Sequence, residues 1–189
     1  MRPVILNRLE ELGYAIFSGN HLDLNIIGVR SADKTPNVFN DKLYLVYKKN
    51  GIWVEHIYTI TTDPGIYWLE NPSRVSGTAI LKAGQYRSCY QIGLHRGSYT
   101  ALTQRKPVTV YRDSNRDDVF DMNPSSTETG YFGINIHRSN SSRESTQVNK
   151  WSAGCQVFAN PDEYEEFISI CESSIPHQGA FFTYTLIED

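Results

Sequence analysis

The chain has no run of about 18 apolar residues, the length a helix needs to cross a bilayer, so no membrane span is expected. Cysteine is scarce: Cys89, Cys155 and Cys171 are an odd set without a Cys-x-x-Cys pair, which excludes a disulfide framework and a cysteine-rich zinc site. At least one thiol is left free. Excess charge of one sign is also missing, since 18 Lys and Arg face 21 Asp and Glu for a net charge of −3. Nucleic acid, whose binding rests on clustered Lys and Arg, is therefore not an expected partner. The first twenty residues lack the unbroken apolar stretch of an export signal, because Arg2, Arg8, Glu10 and Glu11 interrupt it. The expectation is a soluble chain made in the cytoplasm without a signal peptide.

The totals are those of an ordinary globular protein, 40% hydrophobic and 21% charged. A length of 189 suits one core, so residues 1–189 read as a single domain with 1–20 as a helical N-terminal extension. Twelve tyrosines and eight phenylalanines lean toward strands. Ile5, Leu9 and Leu12 recur at helical spacing before Gly13, which predicts a short helix over 3–13. Strand patterns follow in LDLNIIGV, KLYLVYKK and WVEHIYTITT, with Lys49-Asn50-Gly51 as a hairpin turn between the last two. Further strands are expected over 78–82, 85–94, 107–112, 131–138, 154–158 and 180–187.

One C-terminal helix is expected after Asn160, which acts as N-cap with Pro161 at the first helical position and Glu163 completing a capping box. Its apolar stripe is Tyr164, Phe167, Ile168 and Cys171, which makes Cys171 a core residue. The fold class is mostly β, a sandwich or barrel-like domain with one short N-terminal helix and one C-terminal helix. The polar run 139–150 reads as a mobile loop.

Chemistry concentrates in G-I-N-I-H-R, 133–138, and W-S-A-G-C-Q-V-F, 151–158. Strand alternation sends Ile134 and Ile136 to a core and presents Asn135 and His137 on the other face. The small residues Ser152, Ala153 and Gly154 make a tight turn beside Cys155, with Gly154 and Cys155 main-chain N–H groups as oxyanion donors. A cysteine attacks a carbonyl as thiolate and needs a base, for which His137 is the candidate, with Ser152 orienting the imidazole. His95, in the echo segment I-G-L-H-R-G, is expected to line the same cleft, with Arg138, Trp151 and Tyr86 as further substrate-binding candidates. A zinc site from His95, His137 and Cys155 lacks close-spaced ligand pairs, so no metal is assigned there. Asp113, Asn115, Asp117 and Asp121 sit at calcium-loop positions 1, 3, 5 and 9, but Asp118 at position 6 and Pro124 at position 12 exclude an EF-hand. A smaller structural calcium site and a plain Asp/Asn-rich turn both fit that spacing, and no cofactor is required.

His137, fourteen intervening residues and then Ser152-Ala153-Gly154-Cys155 resembles the signature of the YkuD-type L,D-transpeptidase catalytic domain. The segments GQYRSCYQIGLHRGSYTAL, VYRDSNRDD, GINIHR and WSAGCQVF resemble a phage-encoded branch of that family, over about residues 40–187. The resemblance implies a β-rich catalytic domain, a cysteine nucleophile, and acyl transfer at the bond after the third stem residue of peptidoglycan. Ala153 replaces the family's usual His and Val157 its usual Arg or Asn, which leaves donor and acceptor preference open. Without an export signal, a phage lytic or virion-carried enzyme that cleaves the wall is favoured over a cross-linking one. The rival expectation is a wall-binding or virion structural module on the same fold. NlpC/P60-like and papain-like peptidases are disfavoured because they place the cysteine before the histidine.

Overall fold

A computed structural model describes residues 1–189. In chain order the elements are α1 (Ile5–Glu11), β1 (Asn25–Arg30), β2 (Asp41–Lys49), β3 (Ile52–Thr61), α2 (Ile66–Glu70), β4 (Thr78–Leu81), β5 (Gly84–His95), β6 (Tyr99–Gln104), β7 (Val108–Asp113), a 3-10 turn (Pro124–Ser126), β8 (Thr127–Gly130), β9 (Ile136–Arg138), β10 (Gln156–Phe158), α3 (Pro161–Gln178) and β11 (Phe181–Glu188). The protein is mostly β, as expected. Eight strands close into a barrel in the order β1-β11-β5-β6-β9-β10-β3-β2, and β4-β7-β8 form a separate small sheet. No helix is long and apolar enough to cross a membrane.

Barrel closure follows from period-two patterning. Along β2, Leu43, Leu45 and Tyr47 face the main core while Val46 faces outward. The outward residues are covered by α1, whose Leu6 and Leu9 pack on Ile27, Val46 and Ile187. Full burial of each such leucine contributes roughly 1.5–3 kcal/mol, which holds a helix of seven residues that would not persist alone. The β2–β3 hairpin turns at Asn50 and Gly51, both at positive φ (53° and 84°), the pairing a two-residue I′ turn requires.

Asn160 caps α3 by accepting from the N–H groups of Asp162 and Glu163. The expected capping box is only half formed: Glu163 accepts from the Thr59 N–H of β3 at 3.2 Å, and so ties helix to barrel. The stripe of Tyr164, Phe167, Ile168 and Cys171 is buried as expected, and Phe167 and Tyr164 pack on Phe158.

Four expectations are corrected. Helix α2 and strands β6 and β8 were not anticipated from the sequence. The strand expected over 131–138 is cut to 136–138, because Gly133 takes φ 70° and breaks the extended run. The strand expected from 154 begins at 156, because Gly154 takes φ 115°. The loop 139–150 is tethered: the N–H groups of Ser139, Ser145 and Val148 donate to the carbonyls of Phe158, Ala159 and Asn37, and Val148 is buried.

A buried charge sits where the barrel meets the small sheet. The fully buried Arg30 pairs through Nε with Asp63 at 2.9 Å and donates to the Leu81 carbonyl at 2.8 Å and to Thr62. Asp41 completes the cluster by accepting from Ser31 N–H, Thr62 N–H and Thr62 hydroxyl. Burial raises the Asp63 carboxyl to about 6, even though Arg30 pulls it down.

Candidate active site

Strands β9 and β10 run parallel with His137 opposite Val157, and Gln156 N–H donates to Asn135 carbonyl. Paired residues of parallel strands share a face, so Cys155, one residue before β10, is carried to the side of Asn135 and His137. The turn before it is rigid for two reasons. Ser152 Oγ donates to the Cys155 carbonyl at 2.9 Å and accepts from Gly154 N–H at 3.1 Å, while the Ser152 carbonyl accepts from Gly65 N–H at 2.9 Å. Gly154 is pressed against the Ala79 carbonyl of β4, where any Cβ would collide.

These bonds change two of the expected roles. Ser152 does not orient the imidazole, because its hydroxyl is engaged in the turn and the His137 Nδ1 is bound to the Arg138 carbonyl instead. Gly154 N–H is likewise occupied, so Cys155 N–H, which makes no hydrogen bond, is the one free amide of the expected pair.

His137 is held by groups the sequence did not single out. Its Nδ1 lies 2.8 Å from the Arg138 carbonyl and 3.1 Å from the Tyr99 hydroxyl, which also donates to that carbonyl at 3.0 Å. A carbonyl only accepts, so Nδ1 carries the proton and Nε2 keeps the lone pair, the tautomer a base needs. His95 stacks on His137 with ring centroids 3.8 Å apart. Asn135 Oδ1 accepts from Gln104 N–H, which turns its amide nitrogen toward His95 Nδ1 at 3.2 Å and leaves the His95 proton on Nε2.

Burial, then the neighbouring His95, takes His137 down to about 3; burial and Arg96 take His95 to about 4. Burial raises the Cys155 thiol to about 11, against the Asn135 main-chain N–H and Arg96, which both favour thiolate. The resting pair is thus neutral thiol and neutral imidazole. The thiol hydrogen is directed at the Gly133 carbonyl, 3.3 Å away.

A cleft of about 360 Å³ opens over the two histidines, lined by His95, Arg96, Tyr99, His137, Arg138, Lys150 and Trp151 among others. The expected His95, Arg138 and Trp151 are there. Tyr86 is not: it pairs with Tyr184 of β11, and its hydroxyl donates to the Lys82 and Thr109 carbonyls, so its work is structural. Arg138 covers the Tyr99 ring at 4.1 Å. A second cleft of about 560 Å³ adjoins the first, with Arg96, Lys150 and Trp151 forming the ridge they share.

Tyr99 and Arg96 escaped the sequence reading because β6 did, and Lys150 because it ends the run 139–150 that read as a mobile loop. Arg96 and Gly97 both take positive φ, 49° and 70°, as a I′ hairpin turn does, and the Arg-Gly pair after His95 was the signal available. No protein-family model and no curated protein matches the chain.

Proposed function

We propose that the protein is a cysteine acyl-transfer enzyme of the L,D-transpeptidase type, with Cys155 as nucleophile and His137 as base, acting on the stem peptides of peptidoglycan. The observation that carries the reading is the His137 tautomer: Nδ1–H is tied to the Arg138 carbonyl, which leaves Nε2 the lone pair of a base, on a strand paired with the one that follows Cys155. Arg96 and Tyr99 line the cleft with His137; Cys155 is not among the residues that line it, and its Sγ donates to the Gly133 carbonyl rather than to the imidazole.

In the proposed reaction a stem-peptide amide enters the cleft with its carbonyl over Sγ. His137 Nε2 takes the thiol proton as the sulfur attacks, so negative charge moves from sulfur to carbonyl oxygen without a standing ion pair. Cys155 N–H is the donor for that oxygen, a contribution of roughly 3 kcal/mol in comparable sites. His137 then gives the proton to the departing amine, and the thioester passes to water or to a second amine. Water yields cleavage, the outcome we favour for a phage lytic or virion-carried enzyme. Val157, where the family usually carries Arg or Asn, is fully buried; Arg96, Arg138 and Lys150 supply the positive charge for an anionic stem instead.

The test is incubation of the protein with purified muropeptides and mass analysis of the products. Shortened stems are expected, and joined stems would assign transpeptidation. Unchanged muropeptides would leave the second reading, a wall-binding or virion structural module, which the high thiol pKa favours. That reading predicts that the protein sediments with insoluble peptidoglycan and that Cys155 reacts with iodoacetamide no faster than Cys89.

A further inference from the structure

We infer that the loop following β7 is a calcium site, formed by the Asp113, Asn115, Asp117 and Asp121 side chains with the Val119 main-chain carbonyl at the intervening position. The loop lies outside the cleft and plays no part in the proposed acyl transfer.

Asp113 carries the argument. It ends β7 and is 0% exposed, and its Oδ2 accepts from the Asp121 N–H at 3.0 Å, which aims the carboxylate into the loop. Its Oδ1 is buried without any hydrogen-bond partner. A buried carboxylate oxygen left unpaired costs about 1–3 kcal/mol or more, so native chains supply a partner for it. No Lys or Arg pairs with Asp113, Asp117 or Asp121.

Three of the other side chains meet. The Asn115 amide nitrogen lies 2.8 Å from Asp117 Oδ2 and 2.8 Å from Asp121 Oδ2, drawing two carboxylates to a single donor. In this arrangement no three His, Cys, Asp or Glu side chains gather to hold an ion, and the Asn115 nitrogen occupies the point between the Asp117 and Asp121 carboxylates. Rotation of the Asn115 amide puts its oxygen in the same place, and a cation then takes over the role of the donor hydrogens. Hard oxygen ligands from alternating positions, with a main-chain carbonyl among them, suit calcium over magnesium or a transition metal. Arg116 at φ 65° turns the chain between the ligands. Asn123 caps the following 3-10 turn and Pro124 begins it, which closes the site without a bidentate glutamate and points to weak affinity, about 10⁻⁴ to 10⁻³ M.

The site would brace the nucleophile turn. Asp113 pairs with Thr78 and Arg112 with Ala79, the residue whose carbonyl packs on Gly154. Ordering the end of β7 would therefore fix the floor on which Gly154 rests.

The experiment is thermal unfolding and titration calorimetry on the full chain, after EDTA treatment and dialysis, with calcium chloride up to about 10 mM, ten times the weak end of that range. Expected results are one binding event per chain, a Tm rise of several degrees with calcium, and a smaller rise with magnesium. The exposed Asp117→Asn with Asp121→Asn removes both effects and leaves the EDTA-state Tm within about two degrees of wild type. Binding that survives this double substitution would overturn the assignment, as would the absence of any heat and any Tm change in the wild-type chain.

Discussion

Two buried polar clusters, one around Arg30 and one around His137, are built in opposite ways. Around Arg30, charge is kept and partnered: the guanidinium meets Asp63, Thr62 and the Leu81 carbonyl, and Asp41 takes three donors. Around His137, charge is refused. Two stacked imidazoles and a thiol are held neutral by burial, and the Nε2 of His137 and the N–H of Cys155 are left without assignments. A network with its main hydrogen-bonding groups engaged fixes one structure; a network with chosen atoms left open can accept a proton or an oxyanion.

The comparison is tested most severely by Cys155→Ala. Muropeptide turnover is expected to fall by roughly 10³-fold or more, with the Tm changed by no more than about two degrees because the one bond the sulfur makes is to the Gly133 carbonyl. The opposite separation is expected of Arg30→Ala, which strands Asp63 beneath the surface and costs about 3–5 kcal/mol in urea unfolding. If Arg30→Ala leaves stability intact, the contrast between the clusters is lost.

A smaller effect is expected of Tyr99→Phe, which loses the hydrogen bond to the Arg138 carbonyl, about 1 kcal/mol, and loosens the imidazole. Its kcat should fall several-fold while KM stays near wild type, since the phenol holds the base and not the substrate.

The last test is pH. His137 and His95 titrate in the fold at about 3 and 4, below the 6.5 of an exposed histidine, so the unfolded chain binds the extra protons. Their contribution is complete above pH 6.5 and is lost as pH falls toward 4. Asp63 has the reverse sign: raised from 3.8 to about 6, it favours the fold as pH falls through that interval. His95→Gln should therefore flatten the acid-side decline of Tm between pH 6.5 and 4, and Asp63→Asn should steepen it. Turnover should show no titration near 6.5, since the base is neutral throughout.

Elements whose burial follows a simple period were legible in the sequence. The α3 stripe, the β2–β3 hairpin and the outward face of β9 each repeat a pattern that a single chain carries on its own. Strand β6 was hidden because Tyr99, Thr100, Thr103 and Gln104 dilute its apolar residues, and β8 because its residues are exposed and polar. The segments that carry His137 and Cys155 were singled out by their spacing and surroundings, and the structure makes β9 and β10 neighbours. Tyr99 was not, since it reaches His137 only through the β6–β9 pairing, 38 residues away in sequence. Ser152 shows the limit from the other side: the right residue was found, but its hydroxyl closes its own turn, a local bond that competes with any distant partner.

Because Ser139, Ser145 and Val148 are each fastened to a neighbouring strand or loop, the exposed tip between them, 142–144, carries no strain toward the imidazole. That tip is a natural place to splice in foreign sequence. An affinity peptide or a protease-cleavable reporter grafted there would hang from two fixed posts, and the stacked histidines would be expected not to register its presence.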